Sequence, residues 1–218
     1  MIAVEQPDIE ALLSRADPAL GRVIEAVCAK IGRQRIMPSR ASPFGALTRA
    51  IVYQSVSGNA AAAIFARLKI VAGTLTPGRV TALMPAAIMS AGLSKSKTQA
   101  IRSLAEWFSA NRRTAKALPT LSDEEVIAAL IDIPGIGVWT ANVFLIFNLG
   151  RLDVMPANDL GIRRGVQLVY GPKGVATARQ VHDKALLWRP YRSIASIYLW
   201  NAVKLRVSAA DLTLTSAP

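Results

Sequence analysis

The sequence predicts an all-α protein, and three observations support that prediction. Apolar residues recur at helical spacing, capping residues followed by proline mark helix starts, and no segment alternates convincingly like a strand. At 218 residues, the chain has room for one domain or two small lobes around a buried core. Its apolar runs are far shorter than the ~18 residues that span a bilayer, so we expect no membrane partner.

The helix boundaries can be located from local signals. An N-capping residue followed by proline, which loses no hydrogen bond at the first helical position, occurs at Asp17-Pro18, Ser42-Pro43 and Thr76-Pro77. Ser122 and Glu125 form a capping box ahead of an apolar run. Further helices are expected over residues 94–110, 140–149, 160–170, 177–187 and 193–207, which Gly and Pro separate.

The charge balance indicates a polyanionic partner. The chain has 26 Lys and Arg against 14 Asp and Glu, a formal net charge of +12, and its 52% hydrophobic content excludes intrinsic disorder. Most of the excess lies between Gly161 and Arg206, and a second basic cluster includes Lys95 and Lys97. Either cluster alone would equally suit a solvated helix face.

The single cysteine and single histidine indicate no chemistry of their own. Cys28 cannot form an internal disulfide or a cysteine-based metal site, and its apolar neighbours predict a buried filler. His182 is expected on the surface. Residues 1–10 lack the basic and apolar regions of a signal peptide, so we expect a cytoplasmic, nucleoid-associated protein of bacterial type.

A short connection, Ile133-Pro-Gly-Ile-Gly137, predicts a helix-hairpin-helix over about residues 122–148. Pro134 ends the first helix, and Gly135 and Gly137 permit backbone angles closed to other residues. Backbone N–H groups at the next helix start can then bind a phosphate, without reading base sequence. The alternative for a glycine pair alone is an ordinary tight turn between packed helices.

Asp159 is the candidate catalytic carboxylate. It follows a proline turn and opens a predicted helix, so its alternative role is an N-cap, for which Asn158 competes. Cleavage of a glycosidic bond develops positive charge on the sugar, and a fixed anion stabilises that charge.

Together these features resemble a known family. The carrying segments are Ile133-Pro-Gly-Ile-Gly-Val-Trp-Thr-Ala-Asn142, the spacing of twenty from Trp139 to Asp159, Trp188–Trp200, residues 43–57 and Gly92–Lys97. They are similar to the helix-hairpin-helix (HhH-GPD) DNA glycosylase superfamily, in particular its 3-methyladenine DNA glycosylase II (AlkA-like) branch. The resemblance runs from about Pro43 to Ala202.

The resemblance implies an architecture of two helical lobes flanking a cleft. Residues 43–149 would form the central lobe with the hairpin, and residues 1–42 plus 150–218 the second lobe, with Asp159 facing the cleft.

The resemblance also implies a chemistry. Asp159 matches the aspartate that assists base excision, and Gly135 and Gly137 match the phosphate-binding loop. Bifunctional members carry a nucleophilic lysine where this chain has Trp139, so we expect hydrolysis without lyase activity. One cysteine cannot hold the iron–sulfur cluster of some relatives, and we expect no required cofactor. A monovalent cation, Na⁺ or K⁺, is expected at backbone carbonyls matching Ile131, Ile133 and Ile136.

The resemblance further implies a pocket for a flipped base. Trp139 and Trp200 match pocket aromatics, whose faces suit a cationic alkylated base, although each could instead fill the core. The remaining candidates for the pocket are Tyr53, Val143 and Asn201, of which the last two replace tyrosines of a well-known member. The wedge that refills the duplex falls at Gln54 or Ser55, and Gln54 could equally cap a helix end.

The candidate DNA contacts combine these motifs with the basic clusters. They are Gly135, Ile136, Gly137, Thr140, Gln54, Ser55, Lys95, Lys97, Arg163 and Arg192, of which Arg192 could equally serve packing.

The leading hypothesis is a monomeric, monofunctional DNA N-glycosylase of base excision repair. Its partner is double-stranded DNA containing damaged bases, from which it removes alkylated purines such as 3-methyladenine. The alternatives are a non-catalytic helix-hairpin-helix DNA-binding module, in which Asp159 is only a cap, and a glycosylase for deaminated or oxidised bases. The pairing of Trp139 with Asp159 favours an enzyme, because a pure binder has no use for it.

Overall fold

The structure, a computed structural model, describes residues 8–56, 58–171, 173–207 and 211–212. Within these ranges, regular structure consists of α-helices and two short 3₁₀ turns, without a strand, which confirms the all-α prediction. None of the helices in the described ranges combines the length and the apolar character needed to cross a membrane.

The chain divides into two compact units. The central unit runs from Pro38 to Gly150, and the terminal unit joins the chain up to Met37 with the chain from Arg151 onward. The central unit contains α3 (Pro43–Tyr53), α4 (Gly58–Ala72), α5 (Pro77–Ala82), α6 (Pro85–Ser90), α7 (Lys95–Ala110), α8 (Arg112–Ala117), α9 (Asp123–Ile131) and α10 (Val138–Phe147). The terminal unit contains α1 (Ile9–Ala16), α2 (Pro18–Ile31), α11 (Leu160–Tyr170), α12 (Ala178–Ala185) and α13 (Arg192–Lys204).

The four helix starts inferred from caps are confirmed. The side chains of Asp17, Ser42 and Thr76 each accept a hydrogen bond from a backbone N–H in the first turn of α2, α3 and α5. Ser122 and Glu125 bond reciprocally at the start of α9. These caps satisfy N–H groups that have no partner within the helix, each worth about 1 kcal/mol.

Two helices differ from the sequence expectation at their ends. The helix expected over residues 140–149 begins earlier, at Val138, because Gly137 is its N-cap. The helix expected over 193–207 ends at Lys204, and Arg206 then adopts a positive φ of 51°. That left-handed conformation is incompatible with a continuing right-handed helix.

Each unit has its own apolar core. In the central unit α7 and α10 pack against α3, burying Leu47, Ile51 and Phe144, and the Phe44 and Phe108 rings meet edge to face at 5.5 Å between centroids. In the terminal unit α2 and α11 pack against α13, burying Trp188 and Tyr198 completely. Full burial of one large apolar side chain contributes about 1.5–3 kcal/mol.

The single histidine and the single cysteine differ in how well their predicted environments agree with the structure. His182 is exposed in the last turn of α12, as expected. Cys28 is not the buried filler inferred from its neighbours: it is only half-buried, and its Sγ lies 3.4 Å from the hydroxyl of Tyr198. A polar partner from a helix 170 residues away leaves no signal in the local apolar pattern.

Candidate active site

The hairpin connects α9 to α10 through a tight turn. The N–H of Ile133 donates to the Leu130 carbonyl at 3.1 Å, and the N–H of Ile136 donates to the Ile133 carbonyl at 2.9 Å. Gly135 has a φ of +88°, and a Cβ there would lie 2.4 Å from the Cβ of Ala100. Both its backbone angle and its close approach to α7 therefore require glycine.

The N-terminus of α10 has no side-chain cap. Its N-cap is Gly137, which makes no side-chain hydrogen bond, and both Gly137 and Val138 are exposed. The first-turn N–H groups and the positive end of the helix dipole therefore suit an anion such as a phosphate. Ile136 is a different case from the two glycines, because its side chain is buried and its N–H is already bonded to Ile133.

Gln54, the C-cap residue of α3, bonds to the hairpin through its side chain. Its Nε2 donates to the Gly135 carbonyl at 3.2 Å and to the Thr140 Oγ1 at 3.0 Å. These two hydrogen bonds agree with the alternative in which Gln54 caps backbone groups, and the wedge role stays a prediction. Thr140 is buried: its side chain is only 1% exposed and its Oγ1 accepts from Gln54, so a contact of this residue with DNA stays a prediction.

Lys97 holds the turn between α3 and α4 from the other side. Its Nζ donates to the carbonyls of Val52 and Gln54 at 2.8 and 2.6 Å, and burial lowers the pKa of this ammonium group. Lys97 therefore caps the C-terminal end of α3, where a phosphate contact was expected. Lys95, two residues earlier in α7, is exposed.

Ser55 lies in the turn that follows α3. It is exposed and has a φ of +53°, which is rare for a non-glycine residue and indicates local backbone strain. Of the two wedge candidates, Ser55 is the exposed one and Gln54 is half-buried.

Three of the expected pocket residues lie in the central unit. Trp139 and Val143 are half-buried and four residues apart, so they lie on the same face of α10. Tyr53 ends α3, and the guanidinium of Arg49 lies 4.3 Å from the centre of its ring. This cation–π contact was not expected from the sequence.

In the terminal unit, Asp159 is fixed by two N–H donors. It is the N-cap of α11, and its Oδ1 accepts from the Ile162 N–H at 2.9 Å and from the Trp200 Nε1–H at 2.7 Å. The competing cap, Asn158, is exposed. The cap leaves the Asp159 carboxylate beside a half-buried indole, so the N-cap role does not exclude the catalytic one.

The Trp200 contact and the Gln54 contacts are the functional features that the sequence did not reveal. Trp200 and Asp159 are 41 positions apart in the sequence. Gln54 is 81 positions from Gly135 and 86 positions from Thr140. Only the fold brings them together, and no local pattern could have indicated them.

Asn201, the remaining pocket candidate, turns its amide towards a neighbouring segment. Its Nδ2 donates to the Gln34 Oε1 at 3.1 Å, and the residue is half-buried beside Trp200.

The two arginines expected at DNA phosphates make internal contacts instead. Arg192 forms a fork with Asp153, with its Nε 2.6 Å from Oδ1 and its Nη2 3.0 Å from Oδ2. Arg163 is half-buried, and its Nε donates to the Ala176 carbonyl at 2.5 Å. These contacts hold both guanidinium groups within the terminal unit. A count of basic residues therefore overestimates the number of arginines that are free to bind DNA.

The backbone residues expected to hold a cation lie together at the hairpin. Ile131 ends α9, and Ile133 and Ile136 are in the turn. The Ile133 carbonyl accepts one hydrogen bond, which leaves its second lone pair, and carbonyl oxygens are the hard donors that Na⁺ and K⁺ prefer.

A hairpin with an uncapped helix start and a carboxylate held at a second helix start define a helix-hairpin-helix protein of the DNA repair type. Residues 48–190 match the model of the HhH-GPD superfamily of base excision DNA repair proteins. The chain belongs to this superfamily.

One curated relative and two solved structures are similar to this chain over most of their length. DNA-3-methyladenine glycosylase 1 of Schizosaccharomyces pombe is 35% identical over 81% of this chain and 77% of its own. The structure of a 3-methyladenine DNA glycosylase from the same yeast with abasic DNA matches at a TM-score of 0.78 and 32% identity, covering 91% of this chain and 97% of the other. The structure of a DNA-3-methyladenine glycosidase from Bacillus halodurans matches at a TM-score of 0.75 and 31% identity, covering 93% of this chain and 93% of the other.

Proposed function

We propose that this protein is a monofunctional DNA N-glycosylase that removes alkylated purines, such as 3-methyladenine, from double-stranded DNA. The observation that carries the proposal is Asp159, whose Oδ1 is fixed by the Ile162 N–H and the Trp200 indole. The similar proteins named as 3-methyladenine glycosylases support the substrate class. The site of action would be nucleoid DNA in the cytoplasm.

The reaction divides between the two ends of the glycosidic bond. The damaged nucleotide leaves the base stack, because its C1′ cannot be reached within the duplex. The electron pair of the C1′–N bond moves onto the cationic base, which departs neutral and needs little help from an acid. The sugar becomes oxocarbenium-like, and the Asp159 carboxylate stabilises that charge. Water adds to C1′ and loses a proton, which leaves an abasic sugar.

The choice between hydrolysis and lyase chemistry depends on an amine. A lyase of this family would use a lysine at the position of Trp139, on the first turn of α10, to form a Schiff base with C1′. The indole of Trp139 cannot form that bond, so water is the nucleophile and the DNA strand stays intact.

The selectivity for alkylated purines would come from charge. N-alkylation gives the base a positive charge, which the face of an indole attracts by about 0.5–2 kcal/mol. Val143, one turn from Trp139, offers only an aliphatic surface on the same face of α10. This pocket would therefore be less aromatic than one with a tyrosine there, and its substrate range narrower or shifted.

DNA would be held by the hairpin. We propose that a phosphate binds the N–H groups at the start of α10, and that the carbonyls of Ile131, Ile133 and Ile136 hold Na⁺ or K⁺ beside it. Such an ion would add positive charge next to the phosphate. No other cofactor is needed for the hydrolysis.

The test is base release from methylated genomic DNA, measured by mass spectrometry for the wild type and for Asp159→Asn. We expect free 3-methyladenine or 7-methylguanine from the wild type and at least ~10²-fold less from the variant, with abasic-site DNA still bound. A borohydride trap should give no covalent protein–DNA adduct. As a control, Asp183→Asn changes an acidic residue in α12, away from the described contacts of Asp159.

The outcomes separate the candidate functions. Unchanged release by Asp159→Asn would remove the carboxylate from the mechanism. Binding without release from methylated, deaminated or oxidised DNA would indicate a binding module, and release of only a deaminated or oxidised base would move the substrate class. A trapped adduct would contradict the monofunctional mechanism.

A further inference from the structure

We propose that Trp200 is a positioning residue whose indole N–H aligns the Asp159 carboxylate. The absence of side chains at Gly161 and Gly165 would allow the indole to lie close enough to make this contact. This inference rests on the proposed glycosylase function, in which Asp159 must face the developing charge on the sugar. It gives Trp200 a role different from the base stacking that the sequence suggested.

The first observation is that one carboxylate oxygen takes two donors. The Ile162 N–H and the Trp200 Nε1–H both donate to Oδ1 of Asp159, at 2.9 and 2.7 Å. One donor alone would let the carboxylate rotate about its last bond. Two donors from different helices fix both the plane of the carboxylate and the edge that Oδ2 presents.

The second observation concerns Gly161, in the first turn of α11. A Cβ at this position would lie 2.8 Å from the Trp200 Cδ1 and 3.0 Å from the Asp159 Oδ1. Carbon atoms do not approach to 2.8 Å, so any side chain here would displace the indole, the carboxylate or both. The glycine is not explained by its backbone, because its φ is not positive.

The third observation concerns Gly165, one turn further along the same face of α11. A Cβ there would lie 2.8 Å from the Leu199 Cβ and 3.1 Å from the Leu199 carbonyl oxygen. Leu199 directly precedes Trp200 in α13, so this close approach sets the depth at which α13 lies against α11. Two glycines four residues apart thus bring the helices near enough for the indole to reach the cap.

The consequence for catalysis follows from the steepness of electrostatic stabilisation. An anion that is misplaced by about 1 Å from the developing charge can cost about 10²-fold in rate, even when substrate binding is unchanged. A residue that only aligns the carboxylate should therefore affect the rate of the chemical step and leave affinity for abasic DNA intact.

The chain contains a matched control in its own terminal unit. Trp188 donates its Nε1–H to Asp17 Oδ2 at 2.8 Å, and Asp17 is the N-cap of α2. The same pair of groups, an indole and a capping aspartate, therefore occurs twice, and only one pair includes the proposed catalytic carboxylate.

The experiment compares Trp200→Phe with Trp188→Phe in single-turnover base release from methylated DNA. Phenylalanine keeps an aromatic face but has no N–H. We expect Trp200→Phe to lower the rate about 10- to 100-fold, with binding of abasic-site DNA within twofold of wild type. Trp188→Phe should lower thermal stability and leave the rate within twofold.

A second pair of variants tests the glycine. Gly161→Ala should reproduce the loss of rate, because its methyl group displaces the indole or the carboxylate. Gly78→Ala, in the first turn of α5, is the control, since a Cβ there has no atom within 4 Å. It should keep the wild-type rate.

The exchange of the Trp200 indole N–H with solvent provides a third readout. In ¹⁵N-indole spectra at neutral pH, the Trp200 N–H should exchange slowly with solvent, and Asp159→Ala should speed that exchange. Fast exchange in the wild type, or a full rate in Trp200→Phe, would overturn the positioning role while the glycosylase function stands. A wild type that releases no base would overturn the proposed function and this inference with it.

Discussion

Asp17 and Asp159 show how the same residue type serves two purposes. Both are N-caps and both accept an indole N–H, but Asp17 is buried and accepts further hydrogen bonds from two backbone N–H groups and from the hydroxyl of Tyr170. Burial raises the pKa of Tyr170 above its ordinary value, and the hydrogen bond to Asp17 raises it further. Asp17 therefore fixes α2 against the core of the terminal unit.

We predict that Asp17→Ala destabilises the terminal unit by about 3–7 kcal/mol. The variant loses an N-cap, worth about 1 kcal/mol, and leaves buried donors on Tyr170 and Trp188 without an acceptor, each costing about 1–3 kcal/mol. Urea denaturation followed by tryptophan fluorescence measures the change.

Asp8→Ala is the control for that prediction. Asp8 caps α1 in the same way, but it is exposed and its other partner is the exposed Arg33. Its loss should cost much less than the loss of Asp17. Equal effects from both variants would show that the buried partners of Asp17 contribute nothing.

The residue scale is also where the sequence predicted least. Lys97, Thr140 and Arg192 were expected at DNA because of their types and their neighbours in the chain. The structure uses each of them internally, at carbonyls, at Gln54 and at Asp153. A sequence shows which groups can donate, but whether they donate inwards or to a ligand depends on residues 39–86 positions away.

At the scale of elements, the sequence predicted much more. The starts of α2, α3, α5 and α9 follow from an N-cap and its neighbours within three positions, so local patterns were sufficient. The positive φ of Gly135 was likewise expected from its place in the hairpin. Its contact with Ala100 was not, because the approach of α7 is a property of the packed unit.

The capping box of α9 should make the central unit sensitive to pH. Hydrogen bonds from Ser122, from its backbone first and its hydroxyl second, lower the pKa of Glu125 below the ordinary 4.5. A carboxyl group with a lowered pKa in the folded state contributes stability that is fully present above the unfolded pKa. That stability is lost as the pH falls through the folded value.

We therefore predict that Glu125→Gln is less stable than the wild type at pH 7 and that this difference disappears as the pH falls through the lowered pKa of Glu125 in the folded state. Glutamine keeps an acceptor for the Ser122 N–H but does not titrate. Thermal unfolding of both proteins at several pH values measures the difference. Glu124→Gln, in the same turn but outside the capping box, should show a weaker pH dependence; an equal one would assign the effect to helix-dipole charge alone.

At the scale of the whole molecule, the net charge of +12 predicts strongly salt-dependent DNA binding. Each phosphate contact contributes about −0.9 to the slope of log K against log salt concentration. With roughly 6–10 contacts, raising the salt from 50 to 200 mM should weaken binding by about 10³–10⁵-fold. Several lysines and arginines already have partners within the protein, so fewer of them are available for contacts with DNA phosphates.

Lys95 and Lys97 lie within one helical turn but differ in their contacts. Lys95 is exposed at the start of α7, whereas Lys97 donates to the carbonyls of Val52 and Gln54. We predict that Lys95→Gln reduces the magnitude of the salt slope by about 1 and leaves stability unchanged. Lys97→Gln should leave the slope within error and destabilise the central unit by about 1–2 kcal/mol, because two charge-assisted hydrogen bonds are lost.

Fluorescence anisotropy with an abasic-site duplex at several salt concentrations measures both slopes, and the Asp159→Asn background prevents turnover of any substrate. If the two lysine variants reduced the slope equally, Lys97 would leave its carbonyl partners to bind a phosphate when DNA is present. If neither did, the start of α7 would lie away from the DNA. Only a difference confined to Lys95 supports the division of charge that the contacts of the free protein indicate.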